Sequence, residues 1–182
     1  KPRRLSGPPR RTAPGLSRPD LVLVGIPGAG KSTVAALVAP SLGVPFVEVD
    51  DLVETELGAP ADEVFADGET LYREVEERIS LAALQAPGVV ALASGAVESA
   101  LVRDALAGLP VAWLRTSVAT ATRRLGMNSF GMEALVAIRN RMDAMLTQRA
   151  PCYAAVATLV VDTDRLSASQ VASAVLQQGA VQ

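Results

Sequence analysis

Apolar residues along the chain fall into short unbroken blocks, separated by stretches in which they recur every three to four positions. Leu21–Val24 is the first block; its length and valine content predict a buried strand ending at Gly25. Ser32–Leu42 carries Ala, Val and Leu and closes at Gly43, which reads as a helix and its cap, with Pro40 expected to kink or fray the last turn. The alternation continues. Strands are predicted over Pro45–Val49, Gly88–Ala93, Pro110–Leu114 and Thr158–Val161. Helices are predicted over Asp51–Leu57, Glu69–Leu84, Val97–Ala107, Val118–Leu125, Glu133–Arg149 and Ser167–Gln177. Glu69–Leu84 has the clearest stripe, with Leu71, Val75, Ile79, Ala82 and Ala83 on one face and charge on the other. Gly126–Met132 holds two glycines, Asn and Ser without an apolar period and is expected to be a loop. Strands that are apolar throughout and alternate with helices imply a parallel sheet covered on both faces.

Composition narrows this picture. The chain has 182 residues, 49% of them apolar and only 3% aromatic, so one domain with an Ala, Val and Leu core is expected. Its longest apolar run, Ala154–Val161, is far short of the roughly 18 residues of a membrane span and reads as a buried strand. Cys152 is the only cysteine, so no internal disulfide can form, which fits a reducing cytoplasm. There is no histidine, so any general base must be a carboxylate or a lysine.

Residues 1–19 carry Lys1, Arg3, Arg4, Arg10, Arg11 and Arg18 with no acid, and are expected to be a disordered basic tail or linker ahead of a domain over 20–182. Setting those six aside leaves 11 of the 17 basic residues against 19 acidic ones, a body near −8 that is a poor partner for nucleic acid. A monomer acting on a small molecule, with no membrane partner, is the expectation.

Gly25-Ile26-Pro27-Gly28-Ala29-Gly30-Lys31-Ser32 matches the phosphate-binding loop pattern at every fixed position, with a strand before it and a helix after. Gly28 and Gly30 let backbone N–H groups turn inward around phosphates, and the helix that follows adds its dipole. Lys31 is placed to reach the terminal phosphates and Ser32 to offer a hydroxyl to Mg²⁺. The ligand implied is ATP with Mg²⁺, and the cradle comprises Gly28, Ala29, Gly30, Lys31, Ser32 and Thr33.

Three further groups lie where an acceptor would sit. Glu48-Val49-Asp50-Asp51 falls at the carboxyl end of the second strand, where ligands of open parallel sheets bind. Arg73 and Glu76 are three apart on one helix face. Arg149 is expected at a helix end, held by Pro151. Two arginines and an aspartate suit a small polyhydroxy carboxylate. Each also has a plainer reading: a helix cap at Asp51, a surface ion pair for Arg73–Glu76, a helix-terminal charge at Arg149.

Together these residues resemble the shikimate kinase family. The likeness runs from about Leu21 to Thr163 and includes Gly25–Thr33, Leu42–Asp50, Phe65 with Asp67-Gly68-Glu69, Tyr72-Arg73 with Glu76, Arg149-Ala150-Pro151 with Tyr153, Val156-Ala157-Thr158, and Val161-Asp162-Thr163. The resemblance implies a three-layer α/β P-loop kinase fold, a five-stranded parallel sheet with helices on both faces. It implies a substrate-binding section near 48–76, a lid near 125–133, and transfer of the terminal phosphoryl of ATP to the 3-hydroxyl of shikimate. By position, Lys31 and Asp50 are the catalytic pair, and Asp50, Arg73, Gly95 and Arg149 hold the acceptor. Arg124 lies against the adenine, with Arg165 near the base.

The chain departs from the family pattern at three places. Ala93-Ser94-Gly95 replaces three consecutive glycines, so Ser94 is expected to crowd the approach of the acceptor to the backbone. Gly131-Met132 stands where the lid carries arginine and proline, which leaves Arg139 or Arg141 to supply a cation from the next helix. Glu48 replaces a second aspartate. These departures leave two alternatives beside an active kinase of shikimate or a related acid: a diverged module that binds nucleotide or a small acid as a sensor, and a nucleotide or gluconate kinase of related topology.

Overall fold

The computed structural model describes residues 18–179; the expectation of a disordered tail over 1–19 lies outside them apart from Arg18 and Pro19. Five strands form one sheet: β1 (Leu21–Val24), β2 (Phe46–Glu48), β3 (Val89–Ala91), β4 (Val111–Arg115) and β5 (Leu159–Asp162). Their order is β2-β3-β1-β4-β5 and every pairing is parallel. The central strand β1 is flanked in register, Val22 lying beside Val90 and Val111. Val22, Leu23, Val90, Ala91, Ala112 and Leu114 are all 1% exposed or less, which is why these strands read as continuous apolar blocks. The edge strands differ: Phe46 and Val160 each remain 42% exposed, because each edge strand has a neighbour on one side alone.

Seven helices complete the described chain: α1 (Lys31–Leu42), α2 (Val49–Leu57), α3 (Ala61–Ala83), α4 (Ala100–Leu106), α5 (Val118–Arg124), α6 (Met132–Val156) and α7 (Ala168–Gly179). α1 and α7 pack together, and α6 packs on β4 and against α4 and α5, so helices flank the sheet. No helix among the described residues is long and apolar enough to cross a membrane. The helix ends at Gly43 and Gly58 are both left-handed, with φ of 67° and 71°, as their glycines predict.

α1 spans Lys31–Leu42 and is capped by Gly43, as expected, with Pro40 inside its last turn. Four expectations are corrected, two where a tertiary contact outweighs a local signal and two where a local break or cap divides a helix. α6 continues through Pro151 to Val156, so Arg149 lies within the helix rather than at its end. An interior proline costs about 3 kcal/mol, and the burial of Tyr153 offsets it: the ring is fully buried and lies 5.7 Å from that of Trp113. The run Ala154–Val161 is therefore the end of a helix and the start of a strand, not one strand. The helix read over Glu69–Leu84 is preceded by about two further turns of helix from Ala61, the two parts meeting at Gly68, whose extended φ of −171° breaks the spiral. The helix read over Val97–Ala107 divides at Ser99 into a 3-10 turn (Ala96–Glu98) and α4, because the Ser99 side chain caps α4 by accepting from Val102 N.

Candidate active site

The loop between β1 and α1 opens onto a cleft of about 1290 Å³ at the carboxyl end of the sheet. Gly28 has φ 78°, and a Cβ there would lie 2.6 Å from Ala121 O, so no side chain fits. Gly30, φ 95°, caps α1 without a side-chain partner, and a Cβ there would meet nothing within 4 Å. The first N–H groups of α1 thus face open space without a side-chain cap at Gly30, the arrangement that receives an anion. Ala29 is buried, while Ser32 and Thr33 are exposed along the cleft.

Lys31 is buried, and its Nζ donates to Gly25 O at 2.9 Å and to Ser94 Oγ at 3.0 Å. Burial pulls its pKa below the ordinary lysine value; Asp50 and Glu48 oppose the shift and Arg149 adds to it. Ser94 lines the cleft, and its hydroxyl accepts from the lysine. Its carbonyl accepts from Tyr153 Oη at 2.7 Å.

Asp50 sits in the first turn of α2 and lines the cleft. Burial raises its pKa, while Lys31 and, more weakly, Arg149 draw it back. Glu48 is raised as well, by burial, with the Ser32 hydroxyl working against the shift. Its Oε2 is buried with no hydrogen-bond partner among the described residues. An orphaned carboxylate oxygen beside the Ser32 hydroxyl fits a divalent cation, and Ser32 with Glu48 would hold it. No group of three or more His, Cys, Asp or Glu side chains forms a metal cage among the described residues. That sparse donor set suits Mg²⁺, which keeps waters and phosphate oxygens as its other ligands. The Asp51 cap reading fails: Glu48 is the cap residue of α2, without a side-chain bond, and Asp51 is exposed in the first turn.

At the far end, Arg73 from α3 and Arg149 from α6 meet over Gly95. A Cβ on Gly95 would collide with Arg73 Nη1 and lie 3.2 Å from Arg149 Nη2. The glycine is needed for space, since its φ of −87° is ordinary. Arg73 donates to Glu76 Oε2 at 2.8 Å; Glu76 is 3% exposed, so this is no surface ion pair. Burial raises the Glu76 pKa against the pull of Arg73. Arg149 is buried and donates to Glu98. Glu98 is not legible along the chain: a lone glutamate three residues after Gly95 carries no pattern, and the turn that aims it is a tertiary result.

The opposite wall is set by Arg124, which donates to Thr163 O at 2.7 Å, Thr163 Oγ1 at 3.0 Å and Ala29 O at 3.3 Å. It ties the loop to the segment after β5. Arg165 is exposed and not part of the cleft wall, although Thr163 and Leu166 on either side of it are. Arg139 turns to Asn128, its Nη2 lying 3.5 Å from Oδ1. Arg141 lines the cleft and has no ion pair or hydrogen-bond partner among the described residues.

A glycine loop feeding a helix, at the carboxyl edge of a parallel sheet and facing an arginine-lined recess, defines a P-loop phosphotransferase. The shikimate kinase family model matches residues 27–180. A shikimate kinase of Mycobacterium avium is 43% identical over 152 residues, covering 81% of this chain and 85% of that protein. One of Mycobacterium tuberculosis is 41% identical over 165 residues, covering 88% and 93%. Among solved structures, shikimate kinase from Acinetobacter baumannii in complex with shikimate superposes with a TM-score of 0.74 at 29% identity, covering 89% of this chain and 92% of that one. The chain belongs to the shikimate kinase family.

Proposed function

We propose that the protein phosphorylates shikimate at its 3-hydroxyl with ATP as donor, acting as a monomer through a cleft that one chain completes. The observation that carries this reading is the meeting of Arg73 and Arg149 over Gly95, across the cleft from the phosphate loop. Two guanidinium groups facing one recess select a carboxylate. The amides at the start of α1 take the triphosphate, and Arg124 borders the base. Asp50, its pKa raised by burial, accepts the proton of the attacking hydroxyl. Lys31 leaves its contacts with Gly25 and Ser94 for the phosphate that is transferred. When bound beside Ser32 and Glu48, Mg²⁺ offsets phosphate charge. Arg141 takes the place of the cation that Gly131 cannot supply, since it faces the cleft without an ion-pair or hydrogen-bond partner among the described residues.

A coupled ADP-release assay with MgATP and shikimate, with the product identified by phosphorus NMR, tests this. Shikimate-dependent turnover yielding a 3-phosphate is expected; ADP release that ignores shikimate rejects the reading.

A further inference from the structure

Arg73 and Arg149 come from helices far apart in sequence, and one carboxylate joins them from behind. The turn Ala96–Glu98 packs against both α3 and α6. Glu98 accepts from Arg149 Nε, and the same Oε1 lies 3.9 Å from Arg73 Nη2. Its side chain is not part of the cleft wall. The turn that carries it is pinned: Arg103 Nη1 donates to Val97 O and Glu98 O at 2.7 and 2.8 Å, and Glu98 N donates to Gly95 O at 2.9 Å. The carboxylate is therefore a fixed point on which two guanidinium groups settle.

Arg149 is 7% exposed, and a buried cation deprived of its partner seeks another. The acids on the cleft wall, Asp50 and Glu76, both feel the charge of Arg149. A guanidinium drawn onto them would neutralise the proton acceptor and no longer face a ligand. We infer that Glu98 is a positioning residue for acceptor recognition. By engaging Arg149 Nε from outside the cleft, and drawing Arg73 toward the same oxygen, it leaves the other N–H groups of Arg149 directed over Gly95 to the carboxylate of the acceptor. This rests on the reading of the acceptor as shikimate. It adds a second support to that corner: Glu76 holds one arginine, and Glu98 joins both.

The test compares the parent with Glu98→Ala and Glu98→Gln. Titration calorimetry gives Kd for shikimate and for MgADP, and steady-state kinetics give KM and kcat for shikimate and for its uncharged methyl ester. Glu98→Ala is expected to raise KM and Kd for shikimate about tenfold, on the scale of lost supports behind a binding group, with KM for ATP and Kd for MgADP unchanged. Its preference for acid over ester falls in step. Glu98→Gln keeps an oxygen that accepts from Nε and recovers most of the loss. Should Glu98→Ala not fold, Glu98→Asp, which draws the contact back by one carbon, is expected to raise KM for shikimate alone. Unchanged or tighter shikimate binding overturns the inference. So does an equal rise in KM for ATP and shikimate, or a Gln variant no better than Ala. A parent that neither binds nor turns over shikimate overturns the functional reading and this inference with it; an active parent with an indifferent Glu98 overturns this inference alone.

Discussion

At one end of the cleft the whole proposed phosphate cradle comes from nine consecutive residues, Gly25–Thr33. At the other, Asp50, Arg73, Gly95 and Arg149, with Glu98 behind them, come from four separate segments: α2, α3, the turn after β3 and α6. The first is a backbone device: its donors are amides, and its shape is set by glycines with φ of 78° and 95°. The second is a side-chain device, in which two cations are held by Glu76 and Glu98 over a glycine that supplies only space. A backbone cradle binds any nucleoside triphosphate, whereas paired side chains choose the acceptor. Damage to the first end should therefore be felt in nucleotide binding and rate, and damage to the second in KM for the acid.

The sharpest separation of the two ends is expected at Asp50, which lines the cleft and feels the charges of both Lys31 and Arg149. Asp50→Asn should lower kcat on the order of 10²–10⁴-fold, the range for a lost general base, while MgADP still binds by calorimetry. Lost MgADP binding would mean that Asp50 serves the nucleotide end. Arg141→Ala is expected to lower kcat roughly ten- to a hundredfold with little change in KM for shikimate, below the span for a fully engaged phosphate-contacting arginine. Arg139→Ala, whose side chain turns to Asn128, should stay within about twofold of the parent; if the two variants behave alike, position in the cleft is not what matters. Gly95→Ala should raise KM for shikimate about tenfold with nucleotide affinity kept, because the added methyl displaces both guanidinium groups. A rise in KM for ATP instead would place that corner with the other end.

The pH response gives the smallest effect. Burial raises the pKa of Asp50, so the base fills with protons at a higher pH than an exposed aspartate would. Activity is lost as pH falls through that raised value, so the acid limb of kcat/KM should lie above the ordinary aspartate value of about 3.9. A limb at or below it would remove Asp50 from the role of base.

Legibility follows the same division. The loop was readable because its function is backbone conformation within one unbroken stretch, and glycine spacing encodes that directly. The three inner strands were readable because each is buried by neighbours that need only be apolar, and the half-exposed edge strands because their apolar residues still cluster. The continuation of α6 through Pro151 was not, since a proline signals a helix end locally and the burial of Tyr153 against Trp113 is a contact made across the fold. Ser94 shows along the chain only the space its side chain takes; that it also holds Lys31, a partner 63 positions away, is set by the fold. Arg73 and Arg149 were legible as candidates through likeness to a family, yet nothing in their neighbours along the chain announces that Glu98 joins them. Local chemistry fixed where phosphate binds; packing of α3, α6 and the turn after β3 decided which charges face the acceptor, because a side chain's partner is set by distance in space and not by order along the chain.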